Sequence, residues 1–169
     1  MNTRDRVLRH LKRDEPEYEK AASALGPRAL RWLKELAERA DPLLASKATH
    51  LATVIGGPGA AAVVRAAARR EEPEVRVAAA AAMGNLWSAE TAETAETPEA
   101  AEPAEATTME GSAGVVDRLL DDADLGVRKY ALRTAMKMGM HDRVDAALRS
   151  ESTEPHLRRM IEKERRERP

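Results

Sequence analysis

Apolar residues recur along this chain at helical spacing. Leu44, Ala48, Leu51, Ala52 and Ile55 form one stripe. Val75, Ala79, Ala82, Met83 and Leu86 form a second, and Val127, Ala131, Leu132, Ala135 and Met138 a third. Apolar positions spaced three and four apart fall on one face of an α-helix, so each stripe predicts an amphipathic helix. Boundary signals agree with this. Asp41 before Pro42 reads as an N-cap followed by proline at the first helical position. Glu72-Pro73 and Thr153-Glu154-Pro155 are weaker starts of the same kind. Gly56, Gly84 and Gly139 lie near the predicted helix ends, where a left-handed C-cap suits glycine.

The stripes belong to a repeat. Gly26-Pro27 recurs as Gly57-Pro58, 31 residues on, and each pair opens a helical pattern. Pro42 matches Pro73 at the same interval. The next step is longer: Val75 to Val127 spans 52 residues, as does Val63-Val64 to Val115-Val116. The segment 89–109 is 21 residues long, and removing it restores the 31-residue period on both sides. It therefore reads as an insertion between two helices of one unit. The pattern predicts a leading helix over 4–13, four helical hairpins over 16–40, 42–71, 73–122 and 124–150, and a closing helix over 155–167, all in one domain over 1–169. A lone hairpin cannot bury its apolar face, whereas stacked hairpins share one continuous core.

The inserted segment starts with strict Ala-Glu-Thr triplets, contains Pro98 and Pro103, and carries seven Glu and no Lys or Arg over 89–110. A three-residue period fits neither helix nor strand, so 89–110 is predicted to be a disordered acidic loop. The chain's formal net charge is −1, but without this segment the remainder carries +6. The loop is therefore expected either to neutralise a mildly basic body or to be a solvated spacer.

The motif Pro73-Glu74-Val75-Arg76, with Ala79 three residues on and Met83-Gly84 after it, resembles the HEAT-like repeat. So does Asp124-Leu125-Gly126-Val127-Arg128 with Ala131. The resemblance spans about 16–150 and is most specific over 41–88 and 111–140. It implies an all-α, right-handed α-solenoid of about four hairpins with capping helices, whose second helices form a concave binding surface. Ala45 and Glu19 stand where the repeat pattern has Arg. Any Arg/Asp ladder along the stack is thus expected to be interrupted in the N-terminal units. Related repeats occur in armadillo proteins, in HEAT-like DNA glycosylases and in bilin lyases.

Aligning the second helices puts Lys34, Arg65 and Asp117 in one row, Glu38, Arg69 and Asp121 in the next, and Arg39, Arg70 and Asp122 in a third. The face runs from basic to acidic. A duplex groove needs a continuous basic stripe, whereas this gradient suits a protein partner of complementary polarity or head-to-tail self-association. Lys34, Glu38, Arg65, Arg69, Arg70, Asp117 and Asp121 are the candidate partner-binding residues. Trp87, which ends a helix before the acidic segment, joins them.

Composition narrows the chemistry. Alanine occurs 33 times and phenylalanine not at all, which favours closely packed helices. There is no Cys, so thiol catalysis, disulfides and Cys-ligated zinc are excluded, and a cytoplasmic location is expected. Mean hydropathy is −0.55, and neither a signal peptide nor a membrane span is expected. His10, His50, His141 and His156 form no metal-ligating pattern. Asp121, Asp122 and Asp124 read as a helix end and an N-cap rather than a calcium loop. Gly56-Gly57-Pro58-Gly59 lacks the Lys and Ser/Thr of a nucleotide loop. Trp32 falls on an apolar stripe. These patterns point to a non-enzymatic adaptor or scaffold that binds a protein and needs no cofactor. A nucleic-acid binder and a bilin-lyase-like chaperone of chromophore attachment are the alternatives.

Overall fold

The computed structural model describes residues 2–96, 104–150 and 154–167, and no strand occurs among them. The helices are α1 (Thr3–Leu11), α2 (Tyr18–Leu25), α3 (Leu30–Arg39), α4 (Pro42–Ile55), α5 (Pro58–Ala67), α6 (Pro73–Glu96), α7 (Ala104–Leu120), α8 (Leu125–Lys137), α9 (His141–Arg149) and α10 (Pro155–Glu167). A short 3-10 turn at Pro27–Ala29 leads into α3. The fold is an all-α solenoid. Helices α2, α4, α6, α8 and α10 pack successively in one row, and α3, α5 and α7 in a second. The core between the rows is built from small side chains: Ala60, Val63, Val64 and Ala67 of α5 against Val75, Ala79 and Ala80 of α6, all fully buried. Each fully buried Val or Leu contributes roughly 1.5–3 kcal/mol.

Local signals account for the helix ends. Asp41 caps α4 by accepting the Leu44 N–H at 3.0 Å, and Asp124 caps α8 by accepting the Val127 N–H at 3.0 Å. Gly56 ends α4 at φ +73°, a conformation that favours glycine. Gly84 does not end a helix: it lies inside α6 because α8 passes too close for a side chain. A Cβ there would sit 2.9 Å from Thr134 Oγ1, whose hydroxyl donates to Ala80 O at 2.6 Å.

The acidic segment departs from expectation. α6 continues through Glu96 and α7 begins at Ala104, so residues 89–96 and 104–110 are helical. The remaining positions of the predicted loop, 97–103, lie outside the described residues. Ala and Glu are strong helix formers, and extending a nucleated helix adds one hydrogen bond for each residue fixed. The triplet period has no apolar stripe, but a helix already seated on the core at Leu86 does not need one to propagate. The insertion thus lengthens both helices of its pair: α6 has 24 residues against 14 in α4, and α7 has 17 against 10 in α5.

Arginines hold the corners of the stack. The last turn of a helix leaves carbonyls without intrahelical donors and carries partial negative charge. Arg76, at the fourth position of α6, donates to Arg70 O at 3.0 Å and to Glu71 O at 2.5 Å, just past the end of α5. Arg128, at the fourth position of α8, donates to Asp122 O at 2.7 Å and Ala123 O at 3.0 Å. Arg158, at the fourth position of α10, donates to Ser150 O at 2.6 Å. Each of the first two also grips a carboxylate from the next connection. Arg76 binds Asp122 through both oxygens, at 2.7 and 2.9 Å, and Arg128 reaches Glu154 at 2.5 Å.

The fourth position of α4 is Ala45, and the ladder was expected to break there. It does not. Arg70, entering from the end of α5, donates to Ala37 O and Ala40 O at 3.0 Å each and pairs with Glu72 at 2.7 Å. The cation is supplied from a different helix and closes the same kind of corner.

Two predictions follow from this packing. Gly84→Ala destabilises the fold by about 1–3 kcal/mol in thermal unfolding, despite alanine's better helix propensity, because the buried Thr134 must yield. For Asp122, burial pushes the carboxyl upward, but Arg76, the Asp124 N–H and Arg128 outweigh it and hold it below its ordinary value of 3.8. A depressed carboxylate adds stability above its unfolded value and loses it as pH falls through its folded one. Asp122→Asn is therefore expected to cost about 1–3 kcal/mol at neutral pH. In urea titrations the gap between wild type and variant narrows as pH falls below 3.8.

Candidate functional site

Among the described residues the second-helix row carries two grooves. The first lies between α3 and α5 and has a volume of about 420 Å³. Ala62 and Ala66 floor it, and Lys34, Glu38, Arg65, Arg69 and Arg70 surround it. Five of the residues picked out from the sequence thus meet in one place. Their charges are not equivalent. Lys34 is compensated by Glu38 at 3.3 Å, one turn along α3. Arg70 is held by Glu72 and by the carbonyls ending α3, with only 14% of its side chain exposed. Arg65 is half-buried and Arg69 exposed, and among the described residues neither has an ion-pair partner.

The second groove, about 390 Å³, lies between α7 and α9 and contains Asp117, Asp121, Asp122, Arg128 and Arg143. Asp117 pairs with Arg143 at 3.0 Å, and Asp122 belongs to the Arg76 corner. Asp121 is exposed. Trp87 is not brought to either groove: it lies on α6, in the other helix row, and is half-buried.

A third groove was missed by attention to the second helices alone. It lies between α6, α8 and α10, encloses about 450 Å³, and is lined by Asn85, Tyr130, Arg133 and Lys137 over Ala81. Glu164 of α10 closes one side through an ion pair with Arg133 at 2.7 Å. Its sequence signal was Tyr130, a large ring off the apolar stripe of its helix, which is 36% exposed.

Other singled-out residues have local roles. Trp32 packs against the core, with the Arg31 guanidinium 4.4 Å from its ring centroid and Arg4 at 6.0 Å. His141 opens α9, and His50 meets the Tyr18 ring edge-on at 4.3 Å. Among the described residues no group of three His, Asp or Glu is placed to hold a metal ion. No described helix is long and apolar enough to cross a membrane.

No protein-family model matches the chain, and no curated protein matches it. Among solved structures it is similar to a chain of the complex of CpcE and CpcF of phycocyanin lyase from Nostoc sp. PCC7120. The two superpose with a TM-score of 0.72 over 96% of this chain and 97% of that one, at 20% sequence identity. The likeness establishes a HEAT-like helical solenoid from end to end. It also corrects one expectation from the sequence. A non-enzymatic role was inferred from missing catalytic motifs, yet the solved chain of the same fold and extent belongs to a lyase. A solenoid distributes its working residues over several repeats, so a local motif search passes over them. The nucleic-acid reading gains no support, since Asp117 and Asp121 interrupt the basic row.

The two arginines one position apart separate fold from site. Arg70→Ala lowers stability by about 1–3 kcal/mol in chemical denaturation, because it strands the carbonyls of α3 and Glu72. Arg69→Ala stays within about 0.5 kcal/mol of wild type.

Proposed function

We propose that this chain is a bilin-lyase-like subunit: a helical solenoid that works together with a second polypeptide in attaching a chromophore to an acceptor protein. The observation that carries the reading is the end-to-end likeness to a chain of a two-subunit phycocyanin lyase, 96% of one covering 97% of the other. Two features of the chain support it. Among the described residues the second-helix row offers charged grooves, as a surface for a polypeptide should. The chain has no cysteine, so it forms no thioether or thioester of its own. That suits a chaperone-like role, in which the pigment is bound and handed on without a lasting thiol bond to this subunit.

The reading has two separable tests. Mixed with biliverdin, an open-chain tetrapyrrole, the purified chain together with its co-purified partner is expected to carry a visible absorbance band through gel filtration. A colourless protein peak removes the chromophore from the account. Tagged chain recovered from its source cells is expected to elute as a stoichiometric complex with one second polypeptide. Recovery of the chain alone contradicts the two-subunit reading.

A further inference from the structure

We infer that the α3–α5 groove is the docking site for an acidic peptide segment of the partner polypeptide, held by Arg65 and Arg69 acting together. The inference rests on the two-subunit reading above and narrows it to one groove and one chemistry.

Two of the cations on this face are already used. Lys34 is neutralised by Glu38, and Arg70 is turned inward to close the α3 corner. Arg65 and Arg69 remain uncompensated among the described residues, side by side over an alanine floor. Arg65 lies on α5 and Arg69 in the turn just past its end, and both line the same groove. Two neighbouring carboxylates on a partner segment present the complementary pair. Guanidinium–carboxylate contacts are charge-assisted and directional. The small side chains of Ala62 and Ala66 in the groove let a second backbone approach.

The same row argues against a nucleic acid. Binding a polyanionic backbone requires cations in succession. Beyond α5 the equivalent positions are Asp117 and Asp121, and Asp121 is exposed. A phosphodiester chain following the row would run into like charge. A peptide can change sign along its length: acidic where it crosses Arg65 and Arg69, then neutral or basic where it meets Asp121.

The test uses the full chain and a labelled helical peptide with Glu pairs at i, i+4 in its first half and Lys in its second. Controls are the same peptide with Gln for Glu and a single-stranded oligonucleotide of similar length. In fluorescence anisotropy at low salt, the Glu peptide is expected to bind at least about tenfold more tightly than the Gln peptide. The Arg65→Glu/Arg69→Glu variant should lose at least about tenfold in affinity while keeping wild-type helix content and unfolding midpoint. Equal binding of the Glu and Gln peptides, an unaffected double variant, or tighter binding of the oligonucleotide overturns the inference. The native partner separates this from the broader reading. If the double variant still co-purifies with that partner as wild type does, the groove assignment fails and the two-subunit reading stands. If wild type co-purifies with nothing, the two-subunit reading itself fails.

Discussion

A solenoid of short helices generates many helix ends, and every end leaves carbonyls that need donors. In this chain the donors are cationic side chains reaching in from elsewhere in the stack. Arg70, Arg76, Arg128 and Arg158 serve the ends of α3, α5, α7 and α9. Arg6 and Lys47 do the same for Ala24 O and Arg13 O nearer the N-terminus, both at 2.8 Å. Each contact combines a hydrogen bond with the favourable placement of positive charge at a helix C-terminus. Arg76, Arg128 and Arg158 come from the helix that follows, so each of these contacts also sets where that helix sits. The alanine-rich core supplies hydrophobic area but little shape, since a methyl knob fits many registers. The charged corners supply what the core lacks.

That constraint decides which surface charges are available. Arg70 and Asp122 occupy equivalent positions in successive units, and both belong to corners: Arg70 reaches back to the end of α3, while Asp122 receives Arg76 from the first helix of its own unit. The charge at this position is inverted between units, and the fourth position of the first helix changes with it, a neutral Ala45 in one case and Arg76 in the other. Once these residues and the Lys34–Glu38 and Asp117–Arg143 pairs are set aside, the apparent gradient of the second-helix face reduces to a few charges. Arg65 and Arg69 stand at one groove, Arg39 is exposed at the end of α3, and Asp121 stands at another groove. The polarity survives, but it is carried by fewer residues than a charge count implies.

Much of the fold was legible because 31-residue spacing and apolar stripes both follow from stacking identical units. Val75 and Val127 mark equivalent places whatever lies between them, which made the insertion visible. The behaviour of the inserted residues was not legible. The Ala-Glu-Thr period carries no core face, and only the seating of α6 at Leu86 lets the helix continue to Glu96. Ala45 was read as a gap in the ladder because the alignment compares positions, whereas the corner needs a guanidinium from any direction. Gly84 was read as a helix end because its partner, Thr134, is 50 residues away in sequence. The groove around Tyr130 joins three helices of different units, and its one local sign, a large ring off the apolar stripe of α8, does not name the helices that complete it. The lyase likeness was legible only as an alternative, from repeat motifs of the kind found in bilin lyases, while the main adaptor reading took precedence; the structural likeness, at 20% identity, runs along nearly the whole backbone.

Corner cations fix the register of the stack, and native-state hydrogen exchange on the Arg76→Ala variant tests this most directly. Faster exchange is predicted at two places the Arg76 side chain ties together, the end of α5 through Glu71 and the α7–α8 connection around Asp122. The amides of α1 and α2, remote from this corner, should exchange as in wild type. Unchanged exchange at the corner, or an equal acceleration in every helix, would contradict the claim that this contact holds one specific junction in place.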